Sequence, residues 1–433
     1  MKLKVVATLC ALAMGSAGTA FAASGTLSNQ VSQLQAQVQK LQAQVNSMGN
    51  SGSASVAGVS VGTYSPLTWQ LLDNTVGVGT EMAILKARQQ NNISNQALYF
   101  GGEGKADAIY QHSNTGGVFN TASTGSSSAK NRTQLSLTQG ALDVIGNMNN
   151  WATAYVQIGA TNIGGSGASD NATFQKGYLL LGDLNQSPVY GLVGKKEVDF
   201  GNFSSVNMYF NPLNRVAYQA TGTQAAVGYA QYGFNGTASV MNGGNNGTNL
   251  NTSNNNQVNN FALNGTYSAT NNGVNWSAGA GYLNGSGFFS NSNNTTRNSA
   301  WDVNGTVGVN NFNVIAEYTG NVDSQSSGSS RPYAYDLGAN YMFPVMGHNS
   351  VVSADYSQLR ADDVSGNTQT FGQYVVGFRT EAMTNVWAGV EYAYNDGVYT
   401  NNIGGSSSAT TGGFIGNSSA KNNTLLLDVT AMF

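Results

Sequence analysis

The clearest structural pattern in the sequence is Thr424-Leu-Leu-Leu-Asp-Val-Thr-Ala-Met-Phe433, the last ten residues of the chain. On a strand, successive side chains point to opposite faces. One face then carries Leu425, Leu427, Val429, Ala431 and Phe433, and the other carries Leu426, Asp428, Thr430 and Met432. An apolar face opposite a more polar one, ending on an aromatic residue, is typical of the closing strand of an outer-membrane barrel. We expect Leu427, Val429 and Phe433 to act as a barrel-assembly signal; an ordinary edge strand is the alternative.

Residues 1–22 have the pattern of a secretory signal peptide. Lys2 and Lys4 precede a short apolar run, and Ala20-Phe21-Ala22 is a small-x-small cleavage site. The apolar run is too short to span a bilayer as a helix. Cys10, the only cysteine, lies inside this segment. We therefore expect a mature chain without disulfides or thiolate chemistry.

The composition narrows the class of protein. Charged residues make up 9% of the chain, whereas a soluble domain usually carries about a quarter. Aromatic residues reach 10%, too many for a disordered chain. The formal net charge is −3 and no basic run occurs, which argues against nucleic acid as a partner. A secreted, aromatic-rich chain of low charge and without long apolar stretches is best explained as a β-barrel.

Residues 23–49 show a heptad pattern that predicts a periplasmic coiled-coil helix. The apolar positions are Leu27, Val31, Leu34, Val38, Leu41, Val45 and Met48. Valine at heptad position a with leucine or methionine at position d favours a coiled coil of two helices. We expect a homo-oligomer through the seam Val31, Leu34, Val38, Leu41, Val45 and Met48. The uncharged flanks leave a trimer open, and a single amphipathic helix packed elsewhere is the alternative.

Residues 50–96 are predicted to be a linker and a small periplasmic or lumen-inserted segment, with a short helix at EMAILKARQQ (81–90). From residue 97 to 433, stretches of about ten residues alternate apolar and polar, the length of a tilted membrane strand. One such stretch puts Trp301, Val303 and Val307 on one face and Asp302 on the other. A soluble β-sandwich also alternates.

The lengths of the connections between strands favour a barrel over a β-sandwich. Short ones are predicted at 146–150, 183–188, 234–236, 270–273, 310–311, 344–349 and 381–385. Long polar ones are predicted near 114–131, 163–174, 199–214, 243–257, 285–299, 322–332, 361–369 and 397–423. Short turns on one side and long loops on the other are typical of outer-membrane barrels. Eight long and seven short connections join sixteen strands. We predict an all-β fold, a transmembrane antiparallel β-barrel of sixteen strands after a short coiled-coil helix.

A barrel of this size encloses an aqueous lumen. The alternation assigns eight charged residues to it: Lys195, Glu197, Asp302, Glu317, Asp336, Asp355, Arg379 and Glu391. Charge on the lipid face costs a few kcal/mol at the midplane, although any one of these residues could instead lie near a rim. A mixed, mildly acidic lining suggests a pore for neutral or weakly charged solutes.

The connection at residues 198–215 is unusually aromatic. It contains Phe200, Phe203, Tyr209 and Phe210, whereas most other loops are rich in Asn, Ser and Gly. We predict that it folds into the barrel mouth as a constriction or a solute-contacting surface. A cap packed on neighbouring loops, or an adhesive tip, is the alternative.

The order of these features resembles the siderophore porins of the legiobactin-receptor type, known in intracellular gammaproteobacteria. The resemblance rests on the Gln-rich heptads, on EMAILKARQQ followed by ALYFGGEGKAD, on GKKEVDFGNFSSVNMYFNPL and on the terminal strand. It implies a sixteen-strand outer-membrane barrel, with some members importing ferric siderophores without a plug domain. The Asn/Ser-rich loops show no obvious siderophore-binding cluster, so the resemblance supports the architecture and does not identify the ligand.

We therefore expect a porin-like outer-membrane channel for small solutes, a ferric siderophore among the candidates, with outer-membrane lipid as its surroundings. A structural or adhesive surface protein is the alternative. An enzyme is disfavoured because the sequence has only two histidines to act as a base. His348 falls in a predicted periplasmic turn, away from the outer rim where such sites lie, and His112, at a strand end, is interpreted as a rim residue. We expect no cofactor and no metal site, so any iron would arrive already chelated.

Overall fold

The computed structural model describes residues 54–56, 59–72, 75, 77, 79–114, 130–163, 172–242, 258–285, 299–324, 331–362, 368–397 and 421–433. The predicted signal peptide and coiled-coil seam lie outside these residues, and both stay predictions. No helix in the described ranges is long and apolar enough to cross a membrane.

The described residues form two short strands followed by sixteen long ones. The short strands are β1 (Ala54–Val56) and β2 (Val59–Gly62). The long ones are β3 (Ala97–Ser113), β4 (Asn131–Asn147), β5 (Ala152–Ile163), β6 (Thr173–Gly182), β7 (Val189–Glu197), β8 (Thr221–Gln231), β9 (Phe234–Asn242), β10 (Val258–Asn271), β11 (Val274–Leu283), β12 (Ala300–Val309), β13 (Phe312–Asn321), β14 (Tyr333–Val345), β15 (His348–Asp362), β16 (Thr368–Met383), β17 (Val386–Asp396) and β18 (Lys421–Met432).

Each long strand pairs antiparallel with the next, and β18 pairs antiparallel with β3. The sheet therefore closes into a sixteen-strand barrel, as predicted, and it has no free edge among the long strands. The β1–β2 hairpin adds a parallel pairing between β2 and the start of β3.

Seven short turns lie at one end of the barrel, which we call the periplasmic end. Several are two-residue turns with left-handed residues, such as Asn272-Gly273 and Met346-Gly347. Such turns match the twist of a hairpin. The turn predicted at residues 234–236 is wrong in position, because it lies at Tyr232-Gly233. Phe234 instead begins β9, and its ring packs 6.4 Å from that of Tyr229.

The outer face of the barrel is apolar and edged with aromatic rings. Leu427 and Val429 of the closing strand are exposed on it, as the alternation predicted. Tyr335, Tyr356 and Tyr374 form a row across neighbouring strands, with ring centroids 5.8 and 4.5 Å apart. An exposed apolar belt with interfacial aromatics is stable only against lipid.

Phe433 lies on this outer face beside Gly102. Their backbones exchange hydrogen bonds, at 3.2 Å from the Gly102 N–H and 3.1 Å from the Phe433 N–H. A Cβ on Gly102 would come within 2.4 Å of the Phe433 ring. The missing side chain at this position makes room for the terminal aromatic ring.

Among the described residues, three short helices lie within the closed sheet. They are α1 (Ser65–Leu72), α2 (Thr80–Gln89) and α3 (Leu213–Tyr218). Leu67 of α1 and Ile84 of α2 pack in one cluster with the inward side chains Tyr155 and Tyr178. The residues before the barrel therefore fill part of its interior on the β3–β7 side.

Candidate functional site in the barrel lumen

Carboxylates dominate the charged groups on the inner face of the barrel. Six of the eight charged residues assigned to the lumen point inward: Asp302, Glu317, Asp336, Asp355, Arg379 and Glu391. The five acidic ones are all buried. Glu317 and Asp336 face each other directly on β13 and β14. The acidic groups thus follow one another across adjacent strands.

The structure differs from expectation at Lys195 and Glu197 of β7. Val193 is exposed on the outer face, and alternation puts Lys195 and Glu197 on the same side as Val193. The Lys195 ammonium donates to the Phe174 carbonyl oxygen at 3.2 Å. Glu197 forms an ion pair at 2.8 Å with a lysine on β6. The inward residue between them is Lys196.

Residues 198–220, which connect β7 to β8, fold into the barrel and are called the lumen segment below. Phe200, Phe203, Tyr209 and Phe210 are all at most 2% exposed. Phe200 and Phe203 pack with inward side chains of several strands from β9 to β16. Tyr209 and Phe210 pack in a separate cluster with residues of β3, β16, β17 and β18. The segment therefore contacts the wall on widely separated strands and narrows the lumen.

Glu317 anchors the first half of the lumen segment. Its Oε1 accepts hydrogen bonds from the backbone N–H of Asn202 at 2.7 Å and of Phe203 at 3.1 Å. Its Oε2 accepts from the Phe203 N–H at 2.9 Å and from the Asn214 side-chain amide at 2.9 Å. A carboxylate that accepts several N–H groups is a strong anchor for a loop.

Glu391 anchors the second half in the same way. Its Oε1 accepts from the N–H groups of Met208 at 2.7 Å and Tyr209 at 3.1 Å. Its Oε2 accepts from the Phe210 N–H at 3.0 Å. Two carboxylates on β13 and β17 therefore hold the backbone of the segment inside the barrel.

Inward glycines leave space for this segment. A Cβ on Gly281 would lie 3.0 Å from the Gly201 backbone nitrogen, and one on Gly338 would lie 2.8 Å from the Val206 side chain. Side chains at these positions would push the lumen segment out of its present path.

A buried three-residue ion cluster joins α2, β7 and the lumen segment. The Lys196 ammonium lies 2.5 Å from a Glu81 oxygen and 2.6 Å from an Asp199 oxygen. Burial and the nearby Glu81 carboxylate raise the pKa of Asp199 to about 6, although Lys196 opposes the shift. Sequence reasoning missed this cluster. The doublet Lys195-Lys196 was the available signal, since only one of two adjacent residues can face inward.

The periplasmic half of the lumen contains an open cavity of about 630 Å³ on the β10–β14 side. Its inward lining is mostly uncharged and polar, including Thr270, Asn275, Ser277, Thr306 and Asn313. This lining can hydrogen-bond to water or to hydrophilic solutes.

The histidines do not form a site in the described structure. His112 lies near the end of β3, where its Nδ1 is 2.6 Å from the Asn131 side-chain oxygen. His348 begins β15 after a periplasmic turn. Within the described ranges, no group of three or more His, Cys, Asp or Glu side chains could hold a metal ion.

The barrel is similar to solved outer-membrane porins, at low sequence identity. The anion-selective porin from Comamonas acidovorans matches with a TM-score of 0.54 and 12% identity, over 78% of this chain and 99% of that one. The fold is that of an outer-membrane porin. The channel DcaP of Acinetobacter baumannii matches with a TM-score of 0.52 and 15% identity, over 78% and 97%. Pseudomonas putida OprB matches with a TM-score of 0.51 and 10% identity, over 77% of this chain and 94% of that one.

No protein-family model matches the chain, and no curated protein matches it. The closed barrel and its apolar belt, together with the porin-like fold, place the chain in the bacterial outer membrane.

Proposed function

We propose that this protein is an outer-membrane channel through which small hydrophilic solutes pass beside the lumen segment. The observation that carries this proposal is the pair of anchors, Glu317 and Glu391, which hold an aromatic loop inside a polar-lined barrel. A loop fixed in this way sets the width of a passage rather than a surface for adhesion. Of the six predicted lumen residues that point inward, Asp302, Asp336, Asp355 and Arg379 do not anchor the segment and are our candidates to contact a solute.

The solute class that fits best is neutral or weakly charged. The inward lining of the periplasmic cavity consists mainly of amides and hydroxyls. A ferric siderophore is a specific candidate within our proposal, and its support is the family resemblance alone. Such a ligand would bring its iron already coordinated, so the protein would need no metal ligands of its own.

The test is a variant in which the lumen segment is removed. The Val198 N–H donates to the Ala220 carbonyl oxygen at 2.8 Å, which extends the β7–β8 hairpin. Residues 199–219 can therefore be replaced by Asn-Gly, which forms a two-residue hairpin turn. Single-channel conductance in planar bilayers should rise several-fold in this variant. Folded wild-type barrel without any conductance, together with an equally silent variant, would refute the channel.

Siderophore transport has its own measurement. A ferric siderophore added to one side should block the wild-type current transiently, and the iron-free molecule should block it less. Equal effects of both forms would exclude the ferric complex as the specific solute while leaving the channel intact.

A further inference from the structure

The buried ion cluster of Glu81, Lys196 and Asp199 carries an unbalanced charge. Its side chains are at most 3% exposed, and one ammonium lies between two carboxylates, at 2.5 and 2.6 Å. A single lysine can neutralise only one of them. The second oxygen of each carboxylate, Glu81 Oε1 and Asp199 Oδ2, is buried without a hydrogen-bond partner in the described structure. An uncompensated buried charge is costly, and binding a proton removes it.

The neighbouring groups do not add the missing positive charge. Lys176 of β6 and Glu197 of β7 form an ion pair with each other at 2.8 Å, so together they contribute no net charge. Tyr178 of β6 and Tyr190 of β7 also lie close enough to interact with the cluster, and both are neutral phenols. The Tyr178 hydroxyl lies 3.4 Å from the hydroxyl of Thr80 on α2. The cluster and its surroundings therefore keep one negative charge in excess.

Asp199 lies at the root of the lumen segment, where the chain leaves the wall. The Val198 N–H donates to the Ala220 carbonyl oxygen at 2.8 Å, so the β7–β8 hairpin ends there. Gly201 has a left-handed backbone, with a φ of 72°, and turns the chain into the lumen. A movement of the segment about this root takes Asp199 away from Lys196 and into water.

The inserted and displaced positions of Asp199 differ in proton affinity. In the inserted segment, burial and the Glu81 carboxylate raise the pKa of Asp199 to about 6. In water an aspartate has a pKa of about 3.9. The inserted segment therefore binds the proton more tightly, and its extra stability is lost as the pH rises toward 6. Between pH 7.5 and pH 5 the ratio of inserted to displaced segment should rise about tenfold.

We propose that Glu81, Lys196 and Asp199 form a proton-sensitive switch, which holds the lumen segment more firmly in the barrel when the medium becomes mildly acidic. The channel is then narrower in acid than at neutral pH. The effect on current rests on the proposed function, whereas the effect on stability belongs to the folded barrel alone. Neutralising either carboxylate balances the lysine charge, so each single variant should hold the segment firmly at both pH values.

The first test is single-channel recording of the wild type, Glu81→Gln and Asp199→Asn at pH 7.5 and pH 5. In the wild type, the ratio of time in the wider state to time in the narrower state should fall about tenfold on acidification. In both variants it should change much less. Asp396→Asn is the control, because it removes an exposed carboxylate at the extracellular end of β17, and it should follow the wild type.

Urea unfolding provides a measurement that does not depend on current. From pH 5 to pH 7.5 the unfolding equilibrium constant of the wild type should rise about tenfold relative to that of Asp199→Asn. Glu81→Gln should lack this rise as well, since its lysine faces only one carboxylate. A role of the two carboxylates in packing alone would change stability equally at both pH values.

Equal pH dependence of unfolding in the wild type and Asp199→Asn would overturn the switch. So would a pH dependence that survives in Glu81→Gln, because the excess charge would then not be its cause. A pH-dependent difference in stability in a barrel that never conducts would instead refute the channel and leave the switch standing, so the two failures are distinguishable.

Discussion

Replacing Glu391 by alanine should release the lumen segment from one of its two anchors. Glu391 accepts three backbone N–H groups, from Met208, Tyr209 and Phe210, at 2.7–3.1 Å. A hydrogen bond to a charged group contributes roughly 1.5–3 kcal/mol, so the loss is on the order of 5 kcal/mol. That amount shifts the equilibrium between the inserted and the displaced segment by roughly three to four orders of magnitude.

Single-channel recording measures this shift directly. The Glu391→Ala channel should show a higher mean conductance and more current noise than the wild type, because the segment leaves the lumen part of the time. Glu381→Ala is the matched control, since the Glu381 side chain has one exposed hydrogen bond, at 2.9 Å from Asn349. If the folded Glu391→Ala barrel has the conductance and noise of the wild type, the Glu391 carboxylate does not hold the lumen segment in place.

Two further predictions concern the stability of the barrel. Lys196→Met should lower the free energy of unfolding by about 3–5 kcal/mol, because it leaves two buried carboxylates unpaired; Lys195→Met should change it by less than about 0.5 kcal/mol. Urea titration of both variants checks this, and equal midpoints would contradict the buried cluster. Gly102→Ala should displace the Phe433 ring and cost about 1–3 kcal/mol. Gly104→Ala is the control, since its new Cβ has nothing within 4 Å, and it should assemble normally. The folded fraction of each variant is measured by heat-modifiable gel mobility. Equal folded fractions for the two variants would argue against the contact between Gly102 and the Phe433 ring.

Much of the fold could be predicted from the sequence because barrel strands are governed by local rules. Alternation with a period of two set the faces of β12, and its polar residue Asp302 is indeed buried inside. Turn residues located most of the hairpins. The turn before Phe234 was misplaced because an aromatic residue at the start of a strand resembles one at its end.

It was harder to predict which side chains of β7 face the lumen. Lys195, Lys196 and Glu197 are all charged, so the polar pattern alone does not say which of them faces inward. In the structure, the exposed side chain of Val193 shows that Lys195 and Glu197 face outward and Lys196 faces inward. The burial of Lys196 depends on Glu81, which is 115 residues away in the chain.

The contents of the lumen depend on such distant contacts. The sequence predicted that Glu317 and Glu391 face the lumen and that the aromatic loop folds inward. It did not predict that the two carboxylates bind this loop. That the two carboxylates bind the loop's own backbone depends on contacts between residues more than 100 positions apart. The coiled-coil seam lies outside the described residues and stays a prediction.

The barrel we describe has a wet inner face and an outer face in lipid. Thr306 and Val307 are neighbours on β12; Thr306 lines the periplasmic cavity and Val307 is exposed on the outer face. Cysteine substituted at each position, in barrels reconstituted in lipid, can be treated with a membrane-impermeant, positively charged thiol reagent. We predict that Thr306→Cys is modified and that its conductance falls, while Val307→Cys reacts only after detergent is added. Rapid modification of Val307→Cys in intact bilayers, with Thr306→Cys protected, would show that the inner and outer faces of the barrel are assigned wrongly.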